Sequence, residues 1–177
     1  MSDKNIVVSR EDIAREVARL GQEISRDFKD GRLVVIGILN GAFIFTADLV
    51  RKINLPLEID FIRVKSYGKD SCSSGEIKLT KDVEISVAGK DVLLVEDIID
   101  TGCTLSFLKD FFAKRYANSV SVCTLIDKTE RRQKVVEVDY CGLEIKEGFL
   151  VGYGLDFAER HRQYADIYHL IDPHGDK

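Results

Sequence analysis

Val92-Leu93-Leu94-Val95-Glu96-Asp97-Ile98-Ile99-Asp100-Thr101-Gly102-Cys103-Thr104 is the stretch from which the rest of the chain is best read. It opens as an unbroken apolar run, the pattern of a strand buried on both faces of a sheet. Three carboxylates follow within five residues, at Glu96, Asp97 and Asp100. Thr-Gly-Cys-Thr closes the stretch, and an amphipathic segment begins. A strand that delivers acids at its carboxyl end and turns through Thr and Gly into a helix builds a site where open α/β sheets bind ligands. The helix start offers free backbone N–H groups and a partial positive charge, both suited to a phosphate. Thr101 and Thr104 add hydroxyl donors, and Gly102 lets the backbone come close. The acids cannot bind phosphate themselves. They suit sugar hydroxyls, a metal ion or proton transfer. Charged runs are usually solvated surface. The apolar strand before these acids and the Thr-Gly-x-Thr after them favour a functional reading.

Upstream, Ser9 with Asp12 three residues on has the form of a helix start. Ile13, Val17, Leu20, Ile24 and Phe28 then recur at helical spacing up to Gly31. Leu33 to Leu39 reads as a buried strand, broken by Asn40-Gly41-Ala42, and Phe43 to Ile53 as a helix. The tight loop at 40–42 could offer backbone N–H groups to a second anionic group. Leu57, Ile59 and Phe61 alternate as a strand that runs on through Val64. A Gly- and Ser-rich segment from Lys65 to Gly75 follows, too long for a hairpin turn. It reads either as an inert surface loop or as a mobile lid. Glu76 to Thr80 and Val83 to Val87 read as short strands.

Downstream, Thr104 to Tyr116 is helical in pattern, and Val120 to Ile126 alternates as a strand. That strand ends in the charged group Asp127-Lys128-Thr129-Glu130-Arg131-Arg132. A lysine there is ordinarily solvated, but this one shares a rim with Asp100. Val135 to Ile145 reads as one or two edge strands, and Ile167 to Ile171 as a last strand. Phe149 to Asp156 is apolar with two glycines and a terminal acid. His161, His169 and His174 have no ligand spacing and receive no role. Strands alternating with helices predict an α/β fold, a mainly parallel twisted sheet flanked by helices. No dinucleotide-binding or P-loop motif is present.

Composition sets the outer bounds. The chain has 177 residues, 45% hydrophobic and 32% charged, which suits one soluble domain. A net charge of −4 gives no general bias toward nucleic acid or an anionic membrane. No stretch has membrane-span length and no signal peptide is visible, so a cytoplasmic location is expected. Cys72, Cys103, Cys123 and Cys141 are widely spaced, and reduced thiols are the simpler expectation over a zinc site or disulfides.

Glu96-Asp97 followed by Asp100-Thr101-Gly102-x-Thr104 resembles the phosphoribosyl-diphosphate signature of the type I phosphoribosyltransferases. The resemblance extends over nearly the whole chain from Val34 onward. Asn40-Gly41, Lys65-Ser66-Tyr67-Gly68, Asp127-Lys128 and Phe149-x-Val151-Gly152-Tyr153-Gly154-Leu155-Asp156 occur in the order seen in the hypoxanthine phosphoribosyltransferases. Thr129 stands where many relatives carry proline. The resemblance implies a single domain over residues 1–177, with a lid at about 65–76. It also implies a small hood subdomain from the chain ends, made by the N-terminal segment and residues from about 149 to 177.

The implied substrates are phosphoribosyl diphosphate and a 6-oxopurine base, with Mg2+ as cofactor and a homodimer or homotetramer as the assembly. Neither nucleic acid nor membrane is an implied partner. By the same resemblance, Glu96, Asp97, Asp100, Thr101, Gly102, Cys103 and Thr104 bind the phosphoribosyl group. Asp100 is the catalytic acid–base. Asn40, Gly41 and Arg162 bind pyrophosphate, and Lys128, Phe149, Leu150 and Asp156 bind the purine. Ser66 and Tyr67 belong to the lid, and Glu96, Asp97 and Asp156 are the metal ligands. A transferase preferring xanthine or guanine is the nearest alternative. An RNA-binding regulatory relative or a nucleotide sensor of the same fold stands further off.

Overall fold

The computed structural model describes residues 4–29, 32–66 and 77–171. In chain order these form β1 (Lys4–Val8), α1 (Arg10–Asp27), β2 (Leu33–Leu39), α2 (Phe43–Val50), β3 (Leu57–Ser66) and β4 (Ile77–Lys81). Then come β5 (Asp91–Ile99), α3 (Cys103–Ala113), β6 (Ser119–Lys128), β7 (Tyr140–Ile145), β8 (Leu150–Val151) and β9 (Ile167–Leu170). Six strands make one sheet in the order β4-β3-β2-β5-β6-β7. All neighbours in it are parallel except β4, which runs antiparallel to β3. A second sheet of order β1-β9-β8 joins the chain's two ends, in keeping with the hood expected there.

The apolar runs of β2 and β5 are unbroken because both faces of the large sheet are covered. Leu33, Val35, Leu93 and Val95 point into the core shared with α1 and α2. Val34, Ile36, Val92 and Leu94 point the other way, onto Leu105, Leu108 and Phe112 of α3. Ser9 caps α1 by accepting the Asp12 N–H at 3.1 Å. Burying Ile13, Val17, Leu20 and Ile24 is worth roughly 1.5–3 kcal/mol each. The exposed ion pairs of Arg15 with Asp12 and Arg19 with Glu16 and Glu23 are worth only about 0.3–0.5 kcal/mol each. Packing therefore holds this helix.

Four sequence readings need correction. Val83–Val87 is not a strand, because the N–H groups of Glu84 and Ile85 donate to the Asp60 carboxylate and leave no ladder to join. Residues 135–138 are likewise irregular, and β7 begins only at Tyr140. There the Asp139 carboxylate takes the Val122 N–H at 2.8 Å. Helix α2 stops at Val50, three residues short of Ile53. Strand β1 went unforeseen because Lys4 to Val7 are all exposed, so no alternation marks them. Among the described residues, no helix is long and apolar enough to cross a membrane.

Candidate active site

Parallel strands β2, β5 and β6 all end on one rim, at Leu39, Ile99 and Lys128. Two adjoining cavities open there. The larger, about 320 Å³, is lined by Asn40, Gly41, Asp97, Ile98, Asp100, Lys128, Arg131, Gly148, Phe149, Leu150, Leu155, Asp156 and Arg162. The smaller, about 120 Å³, is lined by Glu96, Ile98, Ile99, Asp100, Thr101, Gly102, Thr104 and Leu105. Asp100 and Ile98 belong to both walls. A roomier cavity of about 660 Å³ lies between α1, α2 and residues 163–165. It contains none of the strand-end acids, so chemistry, not volume, selects the rim.

The smaller cavity is lined by Thr101, Gly102 and Thr104, three of the residues anticipated to hold a phosphate. Residues 100–102 bend away from β5, and α3 starts at Cys103. Gly102 sits at φ +80°, and a Cβ there would lie 2.4 Å from the Lys134 carbonyl oxygen, so glycine is demanded twice over. Cys103 departs from expectation. It is buried, its N–H is directed at Thr101 Oγ1 at 3.4 Å, and it is disulfide-bonded, not a reduced thiol. Wide spacing in sequence set no limit on its distance from another cysteine in space. Cys123 and Cys141 are free.

Glu96 and Asp97 lie on the last turn of strand before the bend. Both carboxyls are pushed above the usual carboxylate range, first by desolvation, and Glu96 also by the neighbouring Asp97 charge. Asp97 also fills the space beside Gly41, where a Cβ would come within 1.9 Å of its carboxylate. The peptide bond from Leu39 into Asn40 is cis. Across the larger cavity, Arg162 donates to the Gly154 carbonyl at 2.8 Å and pairs with Asp156 at 2.9 Å and Glu159 at 2.8 Å. Phe149 is 41% exposed at its wall, edge-on to Phe157. Asp100 has one oxygen 3.2 Å from Arg131, and its other oxygen is buried without a partner among the described residues.

The geometry agrees with the relatives. A phosphoribosyl transferase domain model matches residues 6–158. The chain belongs to the phosphoribosyltransferase family. It is 45% identical over 164 residues to the hypoxanthine-guanine phosphoribosyltransferase of Bacillus subtilis (strain 168), covering 93% of this chain and 91% of that protein. The hypoxanthine phosphoribosyltransferase of Haemophilus influenzae is 44% identical over 170 residues, with 94% and 95% covered. A solved structure of a hypoxanthine-guanine phosphoribosyltransferase from Bacillus anthracis superposes with a TM-score of 0.92 at 41% identity, covering 97% of this chain and all of that one.

Within this phosphoribosyltransferase, the residues anticipated for pyrophosphate and purine thus line one cavity, and those for the sugar phosphate line the next, apart from Cys103 and from Asp97, which lines the first. Ser66 closes β3, paired with Ile77. Tyr67 and the rest of the expected lid fall outside the described residues, as does His174. His161 stacks on Tyr164. The exit from β6 carries more of the site than the sequence reading gave it. Arg132 donates to the Asp100 carbonyl at 3.2 Å and pairs with Asp127. Gln133 and Lys134 both donate backbone N–H groups to the Thr101 carbonyl at 3.0 Å. Glu130 meets Lys128 at 3.0 Å. The signal for these residues was the charge run just past a buried strand end.

Proposed function

We propose that this chain moves the 5-phosphoribosyl group from phosphoribosyl diphosphate to N9 of hypoxanthine, and also of guanine, releasing pyrophosphate. One observation carries the reading: Asp100 stands on the wall shared by an anion cradle and a base-sized cavity. A proton acceptor placed there reaches both partners of the transfer. The 5′-phosphate sits on the backbone of Thr101 to Thr104, with the two threonine hydroxyls donating. Phe149 stacks on the base, beside Leu150. Lys128, a donor-only side chain, selects an oxo group over an amino group at C6. As N9 bonds to C1′ and the C1′–O bond to pyrophosphate breaks, Asp100 takes the proton at N7. Arg162 and the Asn40-Gly41 backbone receive pyrophosphate, which gives Arg162 an anion in place of its present carboxylate partners. The oxocarbenium-like sugar needs shielding from water, and that task falls to the lid residues Ser66 and Tyr67.

The acids fit a divalent cation. Glu96 and Asp97 are buried carboxyls whose ionisation is opposed first by desolvation, a cost that a cation beside them would offset. Among the described residues no cluster of three His, Cys, Asp or Glu side chains could hold a metal alone. Glu96, Asp97 and Asp156 would therefore hold Mg2+ together with substrate oxygens, the ligands Mg2+ prefers. When bound, Mg2+ neutralises charge on the diphosphate. The same reading carries a cytoplasmic enzyme. It also carries a homodimer or homotetramer, for which exposed Phe43 and Ile59 supply apolar surface.

The test is an absorbance assay with phosphoribosyl diphosphate, Mg2+ and each of hypoxanthine, guanine, xanthine and adenine. Hypoxanthine and guanine should be consumed and adenine left. Consumption of none of the four would overturn the assignment, and consumption of adenine would overturn the role of Lys128.

A further inference from the structure

The walls of the base cavity come from two different sheets. Lys128 ends β6 of the six-stranded sheet, while Gly148 and Phe149 lead into β8 of the three-stranded one. One side chain faces both. Glu130 holds a carboxylate oxygen 3.0 Å from the Lys128 ammonium and lies toward the backbone N–H of Gly148. Lys128 is buried to 11% side-chain exposure, whereas Glu130 is 47% exposed. The lysine contact first, and then lesser ones that include the Gly148 N–H, keep the Glu130 carboxyl below its usual range.

We propose that Glu130 is a positioning residue for purine recognition, fixing the Lys128 donor and the Phe149 stacking wall relative to each other. An ammonium on a four-carbon stem has many rotamers, and ordering it for one hydrogen bond to a ligand costs free energy. A carboxylate that occupies one of its three donors orders the stem beforehand and leaves donors for the base. The Gly148 contact does the same for the turn that presents Phe149. Both effects act on Lys128 and Phe149, the groups read as binding the base, and neither of these lines the phosphate cradle. The competing possibility is that Glu130 merely occupies Lys128 and must be displaced by the base. The two differ in sign.

This inference rests on the proposed purine transfer. The experiment compares wild type, Glu130→Ala and Glu130→Gln in steady-state kinetics, with IMP affinity measured by calorimetry and folding checked by thermal melting. Glu130→Ala should raise KM for hypoxanthine roughly tenfold, the scale of a charge-assisted hydrogen bond, and weaken IMP to match. KM for phosphoribosyl diphosphate should stay as in wild type. Glu130→Gln keeps an acceptor for both partners and should fall between. An unchanged or lowered hypoxanthine KM in Glu130→Ala overturns the proposal, as does an equal rise in both KM values. If the wild type itself neither turns over hypoxanthine nor binds IMP, the transfer reading has failed first and takes this inference with it.

Discussion

Asp100 has one oxygen facing Arg131 and the other buried with no partner among the described residues. A buried acceptor left open costs free energy, so this carboxylate is ready for a donor that the described residues do not supply. That donor is the base in the reading above. Asp100→Asn keeps the shape and still meets Arg131 through its amide oxygen, but cannot take a proton. It should bind phosphoribosyl diphosphate as wild type does and lose about 10²–10⁴-fold in turnover, the usual contribution of a positioned general base. Binding and single-turnover rates measured on the same preparation check this, and wild-type turnover would refute it. Asp100, Lys128 and the threonines were legible in the sequence because each sits next to a buried strand, where a polar residue needs a reason. Arg131 and Glu130 were not singled out, because one charge within a charged run looks like solvated surface until its partner is known.

The elements divide in the same way. Of the strands buried on both faces, β2 was read with its bounds and β5 to within a residue of its start, since continuous apolar runs admit few alternatives; β5 runs on through Glu96 and Asp97 to Ile99. Two of the misread segments, 83–87 and 135–138, are those where a side chain captures backbone donors. Asp60 is the clearest case. One of its oxygens accepts the Phe61 N–H and faces Lys81, and the other accepts the N–H groups of Glu84 and Ile85. Burial opposes ionisation of this carboxyl, but these donors outweigh it and hold it below the usual range. Asp60→Asn puts an NH2 where two backbone donors converge, at a cost of about 2–3 kcal/mol, read from urea unfolding. The folded-state value is depressed, so the ionised form's contribution is present above the ordinary Asp range and disappears as pH falls through the folded value. Wild type should therefore lose its advantage over Asp60→Asn on acidification. Equal stability of the two proteins at neutral pH would dismiss the arrangement.

At the scale of the whole molecule, the site lies between two sheets that share no strand, so something must hold them in register. The sequence showed the apolar 149–156 segment but not how it is held. Tyr153 supplies one tie. Its ring is buried, its backbone is at φ +51°, and its hydroxyl donates to Asp48 of α2 at 2.7 Å. Burial first, and then the Asp48 carboxylate, push its phenol well above the usual tyrosine range, so it remains a donor at any working pH. Helix α2 begins just past Asn40-Gly41, and Tyr153 lies between Leu150 and Asp156. The bond thus joins the wall read as binding pyrophosphate to the wall read as binding purine. Tyr153→Phe removes only the hydroxyl, and Asp48 keeps Arg51 as a partner. The expected loss is about 1 kcal/mol, or roughly 2–4 °C in Tm for a chain of this size. A double-mutant cycle with Asp48→Ala separates a true tie from two independent effects. Coupling on the order of 0.5–1.5 kcal/mol is the expected result. Strict additivity would mean that the two sheets are held together elsewhere.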